Sequence, residues 1–255
     1  MQRKIQGYGW VPDLPDQRDR RYAAPRRVLA ALPTRCDLRR NCPPVLDQGE
    51  LGSCTAHAIA NAHRYDQMKQ GSTAHFLPSR LFIYYNERAL EGTVREDAGA
   101  QIRDGIKTLA KQGACPEALW PYDIARFAKR PPAAAYREAE KHQAILYQRL
   151  NPTLTQLKGC LAEGYPFVFG FSVYESFESA AVAKNGKVPL PARDEHSLGG
   201  HAVLATGYDD RRQHFIAMNS WSATWGDKGY FYLPYAYATD SGLADDFWTV
   251  RVVET

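Results

Sequence analysis

No stretch of this 255-residue sequence is long and apolar enough to cross a membrane as a helix. The longest strongly hydrophobic run, residues 165–171, falls far short of the roughly 20 residues required. Charge of one sign is also scarce. Lys and Arg total 32 against 28 Asp and Glu, and the excess sits in residues 1–31, with seven basic and three acidic side chains. From residue 32 onward the signs balance, which leaves no electrostatic footprint for nucleic acid or for an anionic membrane. Residues 1–10 carry Arg3 and Lys4 but no apolar centre, so they do not read as a secretory signal peptide. A secreted or periplasmic location is the favoured expectation even so, with a signal trimmed away or another export route in use. No Gly-x-Ser-x-Gly or phosphate-loop pattern occurs, which removes serine hydrolases of that type and the common nucleotide folds. Internal repeats and low-complexity tracts are absent as well.

Cysteine is sparse, and its count of 5 is odd, so at least one thiol is free or paired outside the chain. With Cys54 set aside, Cys36, Cys42, Cys115 and Cys160 allow three pairings. A Cys36–Cys42 bridge closes the shortest loop and would imply an oxidising compartment. Four reduced core thiols are the alternative, and Cys160 in particular fits it.

What is present is enough apolar material, 44% of residues, to fill one large domain or two lobes. Residues 1–31 are rich in Pro, Asp and Arg, with Tyr8 and Trp10 as an aromatic pair, and show neither helical nor strand period. They read as an extended arm. Residues 32–150 are mainly helical. Ser53 stands ready to cap a helix through the alanine-rich run 56–62, Ser79 precedes a helix over 80–90, and a third helix over 101–112 stops at Gly113. In residues 151–255 a helix over 154–163 ends at Gly164. Strand-like runs follow at 167–174, 202–209, 214–220, 229–233 and 247–253.

Chemistry concentrates in three blocks. Gln48-Gly-Glu-Leu-Gly-Ser-Cys54-Thr-Ala is a turn running straight into a helix, which places a thiol where free N–H groups and the helix dipole favour thiolate. Its backbone N–H and the Gln48 amide can meet at the point where a substrate oxyanion would form. Gly199-Gly200-His201 puts an imidazole at the start of a strand, behind glycines that let another backbone approach. Asn219-Ser-Trp221-Ser-Ala-Thr-Trp225-Gly supplies an amide oxygen that can fix the imidazole tautomer, and indoles that can keep water off that bond. A lone cysteine at a helix start is usually structural and a lone histidine usually packed. The combination is what points to catalysis. His57 is a rival base, but its side chain should tilt within its own lobe. His63, His75, His142, His196 and His214 read as solvated or packed. His196 and His201 have no partner at a zinc spacing, so no metal site is expected.

In the order cysteine, histidine, asparagine, these blocks resemble the papain family of cysteine peptidases over residues 32–255. The wording Tyr8-Gly-Trp-Val-Pro-Asp13 resembles its bacterial branches. The resemblance implies an α+β fold of two lobes, a helical left lobe and an antiparallel β-barrel-like right lobe, with the active site in the cleft between them. It also implies Cys54 as nucleophile, His201 as base and acid, Asn219 as its orienting partner and Gln48 in the oxyanion hole. Trp221 and Trp225 become supporting residues, and Gly99, Gly200 and Ile102 substrate-binding ones. Thr55 stands where the family usually has tryptophan, Leu51 replaces a cysteine of its usual disulfide, and Ser222 replaces a glycine. The expected activity is peptide hydrolysis through a thioester, without cofactor, by a monomer that meets peptide or protein substrates and protein inhibitors. The arm 1–31 is expected to act as a built-in pro-segment, a packing clamp being the alternative. A transferase or amidase using the same thioester, and an inactive binding module on the scaffold, are the other readings.

Overall fold

Helices fill the first half of the chain because their ends carry stop and start chemistry. The computed structural model describes residues 7–254. Residues 1–6, with Arg3 and Lys4, lie outside them. A short α1 (Arg26–Leu29) precedes the long α2 (Cys54–Lys69). In α3 (Arg80–Glu91), Ser79 Oγ accepts from Phe82 N–H and Gly92 closes the helix in the left-handed conformation. α4 (Ile102–Gln112) stops at Gly113, followed by α5 (Ala133–Ala139). α6 (Leu154–Ala162) is capped by Thr153, α7 (Ala180–Asn185) by Ser179, and α8 (Tyr235–Ala238) follows Pro234.

The strands are β1 (Trp10–Val11), β2 (Arg35–Asp37), β3 (Ala100–Gln101), β4 (Ala144–Arg149), β5 (Phe167–Tyr174), β6 (Ser197–Asp209), β7 (His214–Met218), β8 (Tyr230–Pro234) and β9 (Ala244–Val253). The large antiparallel sheet runs β4-β9-β5-β6-β7-β8, with β2 beside β6. The described residues contain no β4–β8 pairing, so this barrel-like sheet stays open. Its inner strand β5 is buried almost throughout, and β6 is buried from His201 to Tyr208, as near-continuous runs. α2 lies in the seam between the helices and the sheet. The buried alanines Ala56, Ala58, Ala60 and Ala62 let neighbouring elements approach it closely.

Three expectations need adjusting. β2 and β4 fall within residues 32–150 yet belong to the large sheet, because their partners β6 and β9 come later in the chain. The arm is not wholly irregular: β1 pairs in parallel with β3, Arg21 bridges Arg149, and Tyr22 and Ala24 are buried in the core of the β-rich lobe. All five cysteines are free, with Cys36 Sγ donating to Leu161 O at 3.2 Å and Cys42 Sγ to Leu38 O at 3.4 Å.

Candidate active site

Cys54 is the first residue of α2 and has no solvent exposure. Its sulfur accepts the backbone N–H of Ala202 at 3.4 Å, so it lies against the residue that follows His201. His201 is held in β6 opposite Phe171 of β5. Its Nε2 bonds Asn219 Oδ1 at 2.8 Å. That oxygen also accepts Ser220 N–H at 2.8 Å, which fixes which way the amide faces and makes Nε2 the protonated nitrogen. Nδ1 is left as a buried lone pair with no hydrogen-bond partner. Trp221 covers the imidazole at 5.1 Å between ring centroids, tilted by 30°, and Trp225 braces Trp221 edge-on at 5.2 Å.

Gln48 is fully buried. Its N–H goes to Ser220 O at 2.9 Å, its Oε1 accepts Ser220 Oγ at 2.6 Å, and its Nε2 donates to Leu51 O at 2.9 Å. One amide hydrogen remains for another acceptor.

Burial dominates the electrostatics here. It pushes the Cys54 thiol up to about 12, although N–H groups of Ala202, Gly9 and Thr55 that bond the sulfur pull the other way. It also presses His201 down to about 4 against the raising effect of Asn219. Burial thus favours a neutral thiol and a neutral imidazole, opposing the helix dipole that favours thiolate.

The arm crosses the cleft in three steps. The Tyr8 ring stands 5.8 Å from His201 and 6.2 Å from Trp221, with its hydroxyl donating to Glu178. Gly9 slips between Gly52 and Gly99, and a Cβ built on it would lie 1.7 Å from Gly52 O. Its carbonyl accepts Ala100 N–H at 2.8 Å. Trp10 is buried, its indole occupying space left by the missing side chains of Gly170 and Gly200, and Nε1 donates to Asp246 Oδ2 at 3.0 Å. Of the residues expected to bind substrate, Gly200 thus lies under Trp10. The Gly99 N–H instead goes to the Tyr84 hydroxyl at 3.2 Å, and Ala100 meets the arm. Ile102 is buried at the start of α4, in the same apolar cluster as Trp10.

Beyond Trp10 the arm is bolted to both lobes. The Asp13 side chain is fully buried, accepting from Arg103 N at 3.0 Å, Trp248 Nε1 at 2.9 Å and Arg149 Nη1 at 3.3 Å. Asp19 pairs with Arg103 at 2.7 Å, and Asp246 with Arg149 at 2.7 Å. Three buried carboxylates share two guanidiniums, which leaves room for one proton. Burial first, and the Asp246 carboxylate second, raise Asp13 to about 7. A folded value above the unfolded one means that stability is fully present in acid and is lost as pH rises from about 4 to about 7, then levels off. The melting temperature of Asp13→Asn minus that of the wild type should therefore climb over this window and plateau beyond it. A difference that is flat or falls with pH would contradict this charge assignment.

Sequence reasoning did not single out Gly9, Ser220, Tyr122 or Asp246. A glycine between two aromatics was the one available signal, and it became meaningful only once Gly52 and Gly99 stood on either side of it.

Comparison with known proteins points one way. The family model described as papain family cysteine protease matches residues 32–250. The crystal structure of xylellain, a cysteine protease from Xylella fastidiosa, superposes with a TM-score of 0.90 at 44% identity, over 99% of this chain and 98% of that one. An uncharacterized peptidase C1-like protein of Acanthamoeba polyphaga mimivirus is 42% identical over 270 residues, covering 96% of this chain and 87% of its own length. Procathepsin B from Trypanosoma congolense shares the two-lobed fold, with a TM-score of 0.77 at 17% identity.

Proposed function

The chain belongs to the papain family of cysteine proteases, and on that premise we propose that Cys54, His201 and Asn219 hydrolyse peptide bonds while residues 8–13 restrain the intact chain. The observation that carries the triad is the buried, unpartnered Nδ1 lone pair of His201, oriented by the Asn219 bond at Nε2, on the residue next in the chain to Ala202, whose N–H meets the Cys54 sulfur. Once the cleft is wetted, that nitrogen takes the thiol proton. The sulfur attacks the scissile carbonyl, whose developing oxyanion meets the Cys54 N–H and the remaining Gln48 amide hydrogen. The imidazolium passes its proton to the departing amine, leaving a thioester. His201 then draws a proton from water, the hydroxide attacks the thioester and expels the Cys54 thiolate, the imidazolium returns its proton to that sulfur, and the acid product leaves. No step needs a cofactor.

The same reading makes the arm an inhibitor rather than a substrate. Gly9 presents its N–H to the sulfur, and its carbonyl is bonded to Ala100. The arm is also a clamp, because Trp10, Asp13, Asp19 and Tyr22 are buried. Deleting 1–31 would leave Arg103 and Arg149 buried without these partners, a strongly destabilising change. A point substitution is the sharper test. Brief iodoacetamide treatment at about pH 6 with peptide mapping should leave Cys54 of the wild type unlabelled, since it is a buried neutral thiol. In Gly9→Ala, where the arm cannot seat, Cys54 should become the first thiol modified. Preferential labelling of Cys36 or Cys42 in that variant would count against the nucleophile.

A further inference from the structure

Ser53 sits at the N-cap of α2, where serine ordinarily accepts an N–H of the first turn, yet its side chain makes no such bond. Its Oγ lies instead 2.7 Å from the hydroxyl of Tyr122. That hydroxyl has a single proton, and it donates it to the main-chain oxygen of Gln48 at 2.8 Å, so Ser53 is the donor in the first bond. One phenol oxygen therefore ties together the residue that precedes Cys54 and the residue that carries the oxyanion-binding amide.

Tyr122 is itself firmly placed. Arg80 lies over its ring at 4.1 Å and His57 meets it edge-on at 5.0 Å. Its N–H donates to Glu117, which is paired with Arg80. Arg80 Nη1 donates to His57 Nε2 at 3.1 Å, and His57 Nδ1–H donates to Ser53 O at 2.9 Å. Burial and the neighbouring Arg80 charge hold His57 neutral, down at about 3. Both its nitrogens are engaged, so it supports Ser53 from the other side and does not act as a base.

We propose that Tyr122 is a positioning residue for acyl transfer, its hydroxyl setting the Gln48 main chain and tying it to Ser53, the residue before Cys54, so that the two oxyanion donors stay aligned with each other. This rests on the peptidase reading above. Without the hydroxyl, the Gln48 carbonyl loses its donor and Ser53 Oγ loses its acceptor, keeping only its 3.3 Å contact with His57 Nδ1, so the Gln48 amide and the start of α2 are no longer held to one point.

The test is Tyr122→Phe in the full chain, alone and with Gly9→Ala. Phe keeps the ring against His57 and Arg80, and a melting temperature within a few degrees of the parent checks that packing. Turnover of a peptide amide should fall about tenfold in kcat with KM nearly unchanged, a fraction of the 10²–10³ that losing an oxyanion donor outright costs. Affinity for a peptide aldehyde, which forms an oxyanion on Cys54, should weaken by a similar factor. Alkylation by iodoacetamide, which develops no oxyanion, should change less than about threefold. In a Gln48→Ala background, Tyr122→Phe should have a much smaller effect, since it acts through that residue. Loss of kcat in Gln48→Ala but not in Tyr122→Phe overturns the proposal and leaves the peptidase reading standing. Equal loss of turnover and of alkylation overturns it too, by placing the effect on the sulfur. Unchanged turnover in Cys54→Ala would remove the reading beneath it.

Discussion

Cys54→Ala, made in a full chain whose arm is displaced by Gly9→Ala, should leave no peptide turnover above background. His201→Ala should come within an order of magnitude of the same loss. Both remove a partner of one proton transfer. Residues acting as a unit are strongly non-additive, and losing either member of a nucleophile–base pair lowers kcat on the order of 10⁶-fold. Asn219→Ala should be milder, about 10–100-fold, because the amide orients the ring and exchanges no proton with substrate. Its effect should fall on kcat, since the lost bond is the 2.8 Å contact that fixes the His201 tautomer. Steady-state kinetics on one fluorogenic peptide suffices. Residual activity in Cys54→Ala that a purified mock preparation lacks would defeat the thioester route.

The opposite sign is expected of Gly9→Ala by itself. Its Cβ would fall 1.7 Å from the Gly52 carbonyl oxygen, a distance no side-chain carbon tolerates, and the atoms it meets there are backbone rather than the end of a flexible side chain. Tyr8 and Trp10 must then leave His201 and the Gly170 hollow together. Water returns to the sulfur, and the burial that holds the thiol and imidazole neutral is relieved. Turnover of a short peptide should rise at least tenfold over the wild type, with Asp13 and Asp19 still clamped to Arg103 and Arg149 and a melting temperature lowered by only a few degrees. A folded Gly9→Ala protein no more active than its parent would show that residues 8–10 are packing and not a brake.

Much of this molecule was readable in advance because its signals are local. The strand over 167–174 coincides with β5, and the helix stops at Gly113 and Gly164 stand where glycine chemistry placed them. The helix behind Ser53 was found, but for a reason only half right: the serine marks its start without capping it, having a stronger attachment in Tyr122. The strand through His201 begins earlier than its apolar pattern, at Ser197, because the Gly199-Gly200 stretch pairs with Ser172 and Val173 although it presents no side chains. The burial of the thiol was not legible at all. A helix dipole is written in the order of residues, whereas burial by an arm arriving from far away in the sequence is not. The same holds for Asp13, whose partners Arg103, Arg149 and Trp248 come from three separate elements.

Because the segment proposed to restrain the chain is part of the polypeptide, the strength of that restraint would not depend on how much protein is present. Short tethers hold a ligand at an effective concentration of about millimolar, and here the tether is fastened at Asp13, next to the occupied hollow, which raises that figure further. Under the proposed restraint, dilution would therefore not awaken the enzyme, in contrast to a dissociable inhibitor. A substrate would then meet only the fraction of molecules that are open at a given moment, and its apparent KM would be inflated by the reciprocal of that fraction. Small peptides would be turned over slowly at any enzyme concentration. A long substrate that gains contacts outside the cleft could displace Tyr8 and Trp10 by mass action, so the chain would discriminate by the reach of what it binds before it discriminates by side chain.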